Sequence, residues 1–183
     1  MRDGTVADAA WLRALVRDVP DWPQPGVMFR DITPLLGHPE QFRRAVDELS
    51  ERFSGAEVGR VDRVVGIEAR GFIVAAPVAY HLGASFVPVR KAGKLPWAVV
   101  REEFRLEYGT AKLELHRDAI HPDERILIID DVLATGGTAA ATSRLVETLG
   151  GTIVGVGVLI ELLHLGGRAA LGDRRVESLA EYE

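Results

Sequence analysis

An α/β fold built on a mainly parallel sheet is what this sequence predicts, and three observations carry the prediction. Val64-Val65-Gly66-Ile67 and Ile126-Leu127-Ile128-Ile129 are short apolar runs without alternation, the pattern of strands covered on both faces. Each gives way to a glycine-containing turn and then to a stretch of helical character, at 72–82 and from about 138 to 149. A third strand-like run at 152–160 follows Gly150-Gly151. Strands alternating with helices imply parallel pairing through right-handed crossovers.

The remaining elements follow in chain order. Residues 6–16 set Trp11 and Leu15, and Leu12 and Val16, four apart, which predicts an amphipathic helix that stops before Pro20. Pro20, Pro23, Pro25 and Gly26 oppose regular structure, and 27–34 reads as an ordered loop because large apolar residues stud it. Phe42, Val46, Leu49 and Phe53 share one helical face, with Gly55 as the stop. Residues 71–89 carry no Asp, Glu, Lys or Arg, long enough to raise the question of a membrane span. Pro77, His81 and Gly83 favour a buried helix ending near Gly83, then a strand at 85–89. From Lys94 to Gly109 apolar and polar residues alternate, with Phe104, Leu106 and Tyr108 on one side, and the pattern continues to Leu113 and Leu115 as a β-hairpin. The tail from Gly172 says little.

With 183 residues, 47% hydrophobic and 27% charged, the chain suits one globular domain, with room for a small subdomain over a site. A net charge of -5 argues against nucleic acid as a partner but leaves a small anion in a locally positive pocket. The absence of cysteine excludes disulfides, thiolate catalysis and thiolate zinc sites, and fits a reducing cytoplasm. Met1-Arg2-Asp3-Gly4 opens a polar stretch with no apolar signal core, so the expected location is cytoplasmic, with no membrane contact. His38, His81, His116, His121 and His164 show no ligand spacing, and no dedicated metal cage is expected.

The strongest signal is Ile128-Ile129-Asp130-Asp131-Val132-Leu133-Ala134-Thr135-Gly136-Gly137-Thr138, a buried strand that delivers two carboxylates and then a glycine loop at a helix start. Gly136 and Gly137 let the backbone approach a ligand, and the helix N-terminus attracts phosphate. Thr135 and Thr138 add hydroxyl donors, and Thr138 is placed to cap the helix. A P-loop would need a lysine here, and the dinucleotide fingerprint a third glycine. Two acids beside a phosphate cradle make sense facing the 2′- and 3′-hydroxyls of a ribose, and can also help hold Mg²⁺. The plain alternative is a strand end followed by a generic turn.

This segment resembles the phosphoribosyl pyrophosphate signature of the type I phosphoribosyltransferases, whose loop for the 5-phosphate is similar to Ala134-Thr135-Gly136-Gly137-Thr138. Pro25-Gly26-Val27-Met28-Phe29-Arg30-Asp31-Ile32-Thr33-Pro34, Glu68-Ala69-Arg70-Gly71-Phe72, Arg90-Lys91 with Gly93-Lys94-Leu95-Pro96, and Leu106-Glu107-Tyr108-Gly109 resemble its adenine-specific members, in the family's order. The resemblance implies a central sheet flanked by helices, an N-terminal hood with a base-contacting loop over about 1–36, a flexible hairpin lid over about 94–115, and a homodimer.

For the site it implies that the turn Glu68-Ala69-Arg70, with Arg90, Lys91, Lys94 and Tyr108, receives the pyrophosphate of phosphoribosyl pyrophosphate, and that Asp130 and Asp131 take the ribose. It places Met28, Phe29, Arg30 and Leu162 around adenine, Phe29 stacking and the backbone near Met28 and Arg30 reading the purine edge. Glu107 would manage the N9 proton, with Arg70 and Asp131 as its partners in catalysis; Glu102, Glu103 and Glu114 are rival acids nearby. Mg²⁺ would arrive with the substrate. Ala92, where many relatives carry Arg or Pro, and the segment 97–105 depart from the family's pattern. Two rival readings stay open: a sensor that keeps the pocket without the chemistry, and transfer to guanine, hypoxanthine or xanthine.

Overall fold

The computed structural model describes residues 9–105 and 110–183. The chain divides into two compact units, 1–45 and 46–183. In the first, α1 (Ala10–Arg13) is followed by β1 (Arg17–Val19) and β2 (Phe29–Asp31), an antiparallel pair joining Arg17 to Asp31 and Val19 to Phe29, and then by α2 (Thr33–Leu36). The helix expected at 6–16 is described only as this single turn, because β1 takes over at Arg17. The segment read as a loop at 27–34 holds both a strand and the start of a helix: Asp31 Oδ1 accepts the Thr33 N–H at 2.9 Å, an Asx-type bond that lets extended chain turn into helix.

A helix of 13 residues, α3 (Pro39–Glu51), leads across the boundary into the second unit. There the chain runs β3 (Arg63–Ile67), α4 (Arg70–Leu82), β4 (Ser85–Lys91), β5 (Val99–Arg105), β6 (Thr110–His116), β7 (Arg125–Leu133), α5 (Gly137–Thr148), β8 (Thr152–Leu162) and β9 (Val176–Tyr182). Among the described residues these strands form a seven-stranded sheet in the order β5-β6-β4-β3-β7-β8-β9. The five strands from β4 to β9 pair in parallel, and β5 and β6 add an antiparallel edge.

Both apolar runs lie at the centre of the sheet: Val64, Val65, Ile67 and Ile126 to Ile129 are buried, as expected for strands shielded on both faces. β7 does not end at Ile129 but carries the two acids within it as far as Leu133. α4 ends at Gly83, which adopts φ 65°, the left-handed cap glycine accepts without strain. No described helix is long and apolar enough to cross a membrane. The expected hairpin is present as β5 and β6, and its arms belong to the sheet, with Phe104, Leu113 and Leu115 in the core. β9, in the tail that carried little signal, closes the opposite edge by pairing with β8.

The connections position the site. From β3 the chain crosses through α4 to β4 on one side; from β7 it crosses through α5 to β8 on the other. Neighbouring strands whose connections diverge open a crevice at their carboxyl ends. That crevice lies between Glu68-Ala69 and Ala134-Thr135-Gly136.

Phe53 anchors this unit: it is fully buried, and its ring sits where a Cβ on Gly155 or Gly157 would come within 2.5 and 2.9 Å. Phe53→Ala should cost about 3–5 kcal/mol by leaving a cavity under β8. Urea denaturation should show it as a lower midpoint with an unchanged slope.

Candidate functional site

The glycine loop joins β7 to a helix as the sequence predicts, with one correction. α5 is capped by Gly136, at φ 79°, and Thr138 makes no side-chain cap bond. The first helical amides have no acceptor within the helix, so the amides of Gly137 and Thr138 are donors at the positive end of a 12-residue helix. Asp130 and the loop from Ala134 to Thr138 line one small cavity, with Thr135 exposed at its mouth.

The acid pair stands beside it. Asp131 is buried, and Asp130 Oδ1 accepts the Asp131 N–H at 2.9 Å. Burial pushes the Asp130 carboxyl well above the usual carboxylate range, and the charge of Asp131 adds to the push. Burial raises Asp131 as well, against the pull of the Arg70 guanidinium. Arg70 Nε lies 2.8 Å from Asp131 Oδ2, so the arginine expected to meet the pyrophosphate is paired with a carboxylate expected to meet the ribose. Gly71 makes this possible, since a Cβ there would fall 2.7 Å from Asp130 Oδ1 and 3.2 Å from the Ile129 carbonyl oxygen. The start of α4 can thus lie directly on the acid pair.

The basic cluster is gathered by Glu68. Its carboxylate accepts the Lys91 N–H at 2.9 Å, pairs with the Lys94 ammonium, and lies 3.4 Å from Arg90 Nε. Arg90 Nη1 also donates to the Lys94 carbonyl at 3.1 Å. Burial pushes the Glu68 carboxyl up, but the Lys94 ammonium, the Lys91 N–H and Arg90 together outweigh it and hold the group below the usual range. The Glu68-Ala69 peptide bond is cis.

Glu68 thus does more with its side chain than the backbone contact expected of its turn, and Glu114, expected only as a rival to Glu107, has structural work of its own. Glu114 is almost fully buried, accepts the Gly93 N–H at 2.8 Å and pairs with Arg101, so it fastens the lysine-bearing segment to the hairpin. The signal available was an acid flanked by Leu113 and Leu115 in a strand, a carboxylate that had to find partners inside.

In the N-terminal unit Phe29 packs edge-on against Trp22 with centroids 4.3 Å apart, Arg30 pairs with Asp18, and Met28 is exposed. Leu162 ends β8, half-buried. Glu107, Tyr108 and Leu106 lie outside the described residues.

Comparison with known proteins agrees with this geometry. The phosphoribosyl transferase domain family matches residues 36–178. The chain is 58% identical over 165 residues to an adenine phosphoribosyltransferase of Thermobifida fusca, covering 90% of this chain and 92% of that protein. The crystal structure of adenine phosphoribosyltransferase from Rhodothermus marinus superposes with a TM-score of 0.89 at 51% identity, over 95% of this chain and 98% of that one. The Saccharomyces cerevisiae enzyme, solved with D-2,5-dideoxy-2,5-imino-altritol 1,6-bisphosphate and adenine, matches with a TM-score of 0.86 at 36% identity, over 93% and 97%. An acid pair and a glycine loop at the switch point of a parallel sheet, with relatives this similar over nine-tenths of the chain, make it a member of the phosphoribosyl transferase family, among the adenine phosphoribosyltransferases.

Proposed function

We propose that this chain transfers the 5-phosphoribosyl group of phosphoribosyl pyrophosphate to N9 of adenine, forming AMP and releasing pyrophosphate, as in purine salvage. The observation that carries the reading is the junction of Asp130 and Asp131 with the amides at the start of α5: acceptors for a sugar's hydroxyls immediately beside donors for its phosphate.

In this reading the amides of Gly137 and Thr138 and the hydroxyls of Thr135 and Thr138 take the 5-phosphate, Ala134 and Gly136 allowing the close approach. Asp130 and Asp131 accept from the ribose 2′- and 3′-hydroxyls. Arg70, Arg90, Lys91 and Lys94, the Glu68-Ala69 turn and Tyr108 meet the pyrophosphate. Mg²⁺ enters with the substrate; the hard oxygens of Asp130 and Asp131 suit it, and when bound it neutralises charge on the departing pyrophosphate.

Phe29 offers a stacking face for adenine, Met28 and Arg30 offer backbone groups to its edge, and Leu162 an apolar contact. A misplaced carbonyl on an oxopurine would leave such groups unpaired, which favours adenine. Glu107 takes the N9 proton as the N9–C1′ bond forms and the C1′–O bond to pyrophosphate breaks. The hairpin at 94–115 keeps water from the ribosyl cation-like state. We assign the protein to the cytoplasm as a homodimer, with the hood at 1–36.

AMP formation from adenine, phosphoribosyl pyrophosphate and Mg²⁺ tests the proposal, with guanine, hypoxanthine and xanthine run alongside. Adenine should be the preferred base. Tight binding of phosphoribosyl pyrophosphate with no turnover of any base would favour the sensor instead. Asp131→Asn should lower kcat/KM by about 10- to 100-fold, the worth of a charge-assisted hydrogen bond.

Asp130→Asn should separate stability from function. Removing a buried charge beside a like charge should raise the thermal midpoint of the ligand-free protein at pH 7.5 while activity falls. Glu68 should behave the other way. Its folded pKa is depressed, so its stabilisation is full above the unfolded value of about 4.3 and is lost as pH falls through the folded value. Glu68→Gln should therefore be about 1–3 kcal/mol less stable at pH 7, and acid titration should narrow that gap as pH falls below the unfolded value.

A further inference from the structure

The phosphate loop is held from behind by a second piece of backbone. A Cβ on Gly136 would lie 2.2 Å from the Gly167 carbonyl oxygen and 2.9 Å from the Ala170 methyl. Reciprocally, a Cβ on Gly167 would lie 2.3 Å from the Ala134 carbonyl oxygen and 3.2 Å from the Gly136 nitrogen. The 3₁₀ turn Gly167–Leu171 is therefore the rear wall of the loop, with the Leu133 side chain and the Ala170 methyl flanking the contact between the two glycine backbones.

Such a turn needs something to fix it, because 3₁₀ hydrogen bonds alone are weak. Leu171, fully buried, anchors one end. Arg168 anchors the middle: its Nε donates to Glu161 Oε1 at 2.7 Å, one Nη to Glu161 Oε2 at 2.6 Å, and the other to the Val176 carbonyl at 2.9 Å. The Ser178 hydroxyl donates to Glu161 Oε2 at 3.0 Å. Glu161 is buried near the end of β8, opposite Leu133 of β7, the residue immediately before the loop. A forked guanidinium–carboxylate pair fixes both the position and the plane of the arginine. One side chain thus joins the rear wall of the loop to β8 and β9.

We propose that Arg168, acting through its forked pair with Glu161, is a positioning residue for the 5-phosphate site, setting the Ala134 to Gly136 backbone so that the amides at the start of α5 converge on the phosphate. It touches no substrate. The proposal rests on the reading of loop 134–138 as the 5-phosphate site.

The phosphate's own contribution to binding provides the test. AMP and adenosine share base and ribose and differ in the phosphate, so the ratio of their dissociation constants, measured by competition on the full chain, isolates the loop. Arg168→Lys keeps the charge and loses the fork; it should cut the adenosine-to-AMP ratio about tenfold with adenosine binding unchanged. KM for phosphoribosyl pyrophosphate should rise while kcat stays within a few-fold. The double variant Glu161→Gln with Arg168→Gln removes both charges, so no buried carboxylate is orphaned, and should show the same selective loss. An unchanged ratio in a folded variant overturns the proposal, as does equal weakening of AMP and adenosine. A wild-type ratio near one would instead overturn the 5-phosphate reading itself.

Discussion

Two adjacent carboxylates beside a loop that attracts anions are costly neighbours, and much of the sheet's carboxyl edge is organised around keeping them there. Asp131 is buried and Asp130 carries a strongly raised pKa. Isolated, such groups would take up protons. The Arg70 guanidinium at 2.8 Å counters that for Asp131, and it can reach only because Gly71 lets the first turn of α4 settle against Asp130. Replacing the glycine would push α4 away and take Arg70 with it. A missing methyl group on one strand's connection thus sets the electrostatics of the next strand.

The same device recurs at the loop. Gly136 and Gly167 meet backbone to backbone, and neither tolerates a Cβ. Gly136 also needs its positive φ, whereas Gly167 has no such angle and is glycine for space alone. Space requirements of this kind depend on a partner 31 residues away in sequence, from Gly136 to Gly167, which local motif reading cannot see.

This explains what the sequence disclosed and what it withheld. The central strands were legible because burial on both faces leaves an uninterrupted apolar run, as at Ile126 to Ile129. The junction between β7 and α5 was legible because two acids, two hydroxyls and two glycines occur within nine residues, Asp130 to Thr138. β1 and β2 were hidden by their brevity, three residues each, and by the prolines around them. β9 was hidden because Val176 to Tyr182 alternates weakly and carries two glutamates. Glu68, Glu114 and Glu161 were hidden for a shared reason: each is a carboxylate whose partner is reached only through tertiary structure.

Those hidden carboxylates bear on how an anion would be received. Bare clustered cations repel one another and would loosen the site before a ligand came. Here Arg90 and Lys94 already share Glu68, and Arg70 already holds Asp131. An anion arriving there would therefore meet groups oriented in advance, the ordering cost of those long side chains having been met during folding. The carboxylates also explain how a protein of net charge -5 can offer a polyanion a cationic surface. The positive charge is local and held in register by Glu68, which pairs with both Arg90 and Lys94.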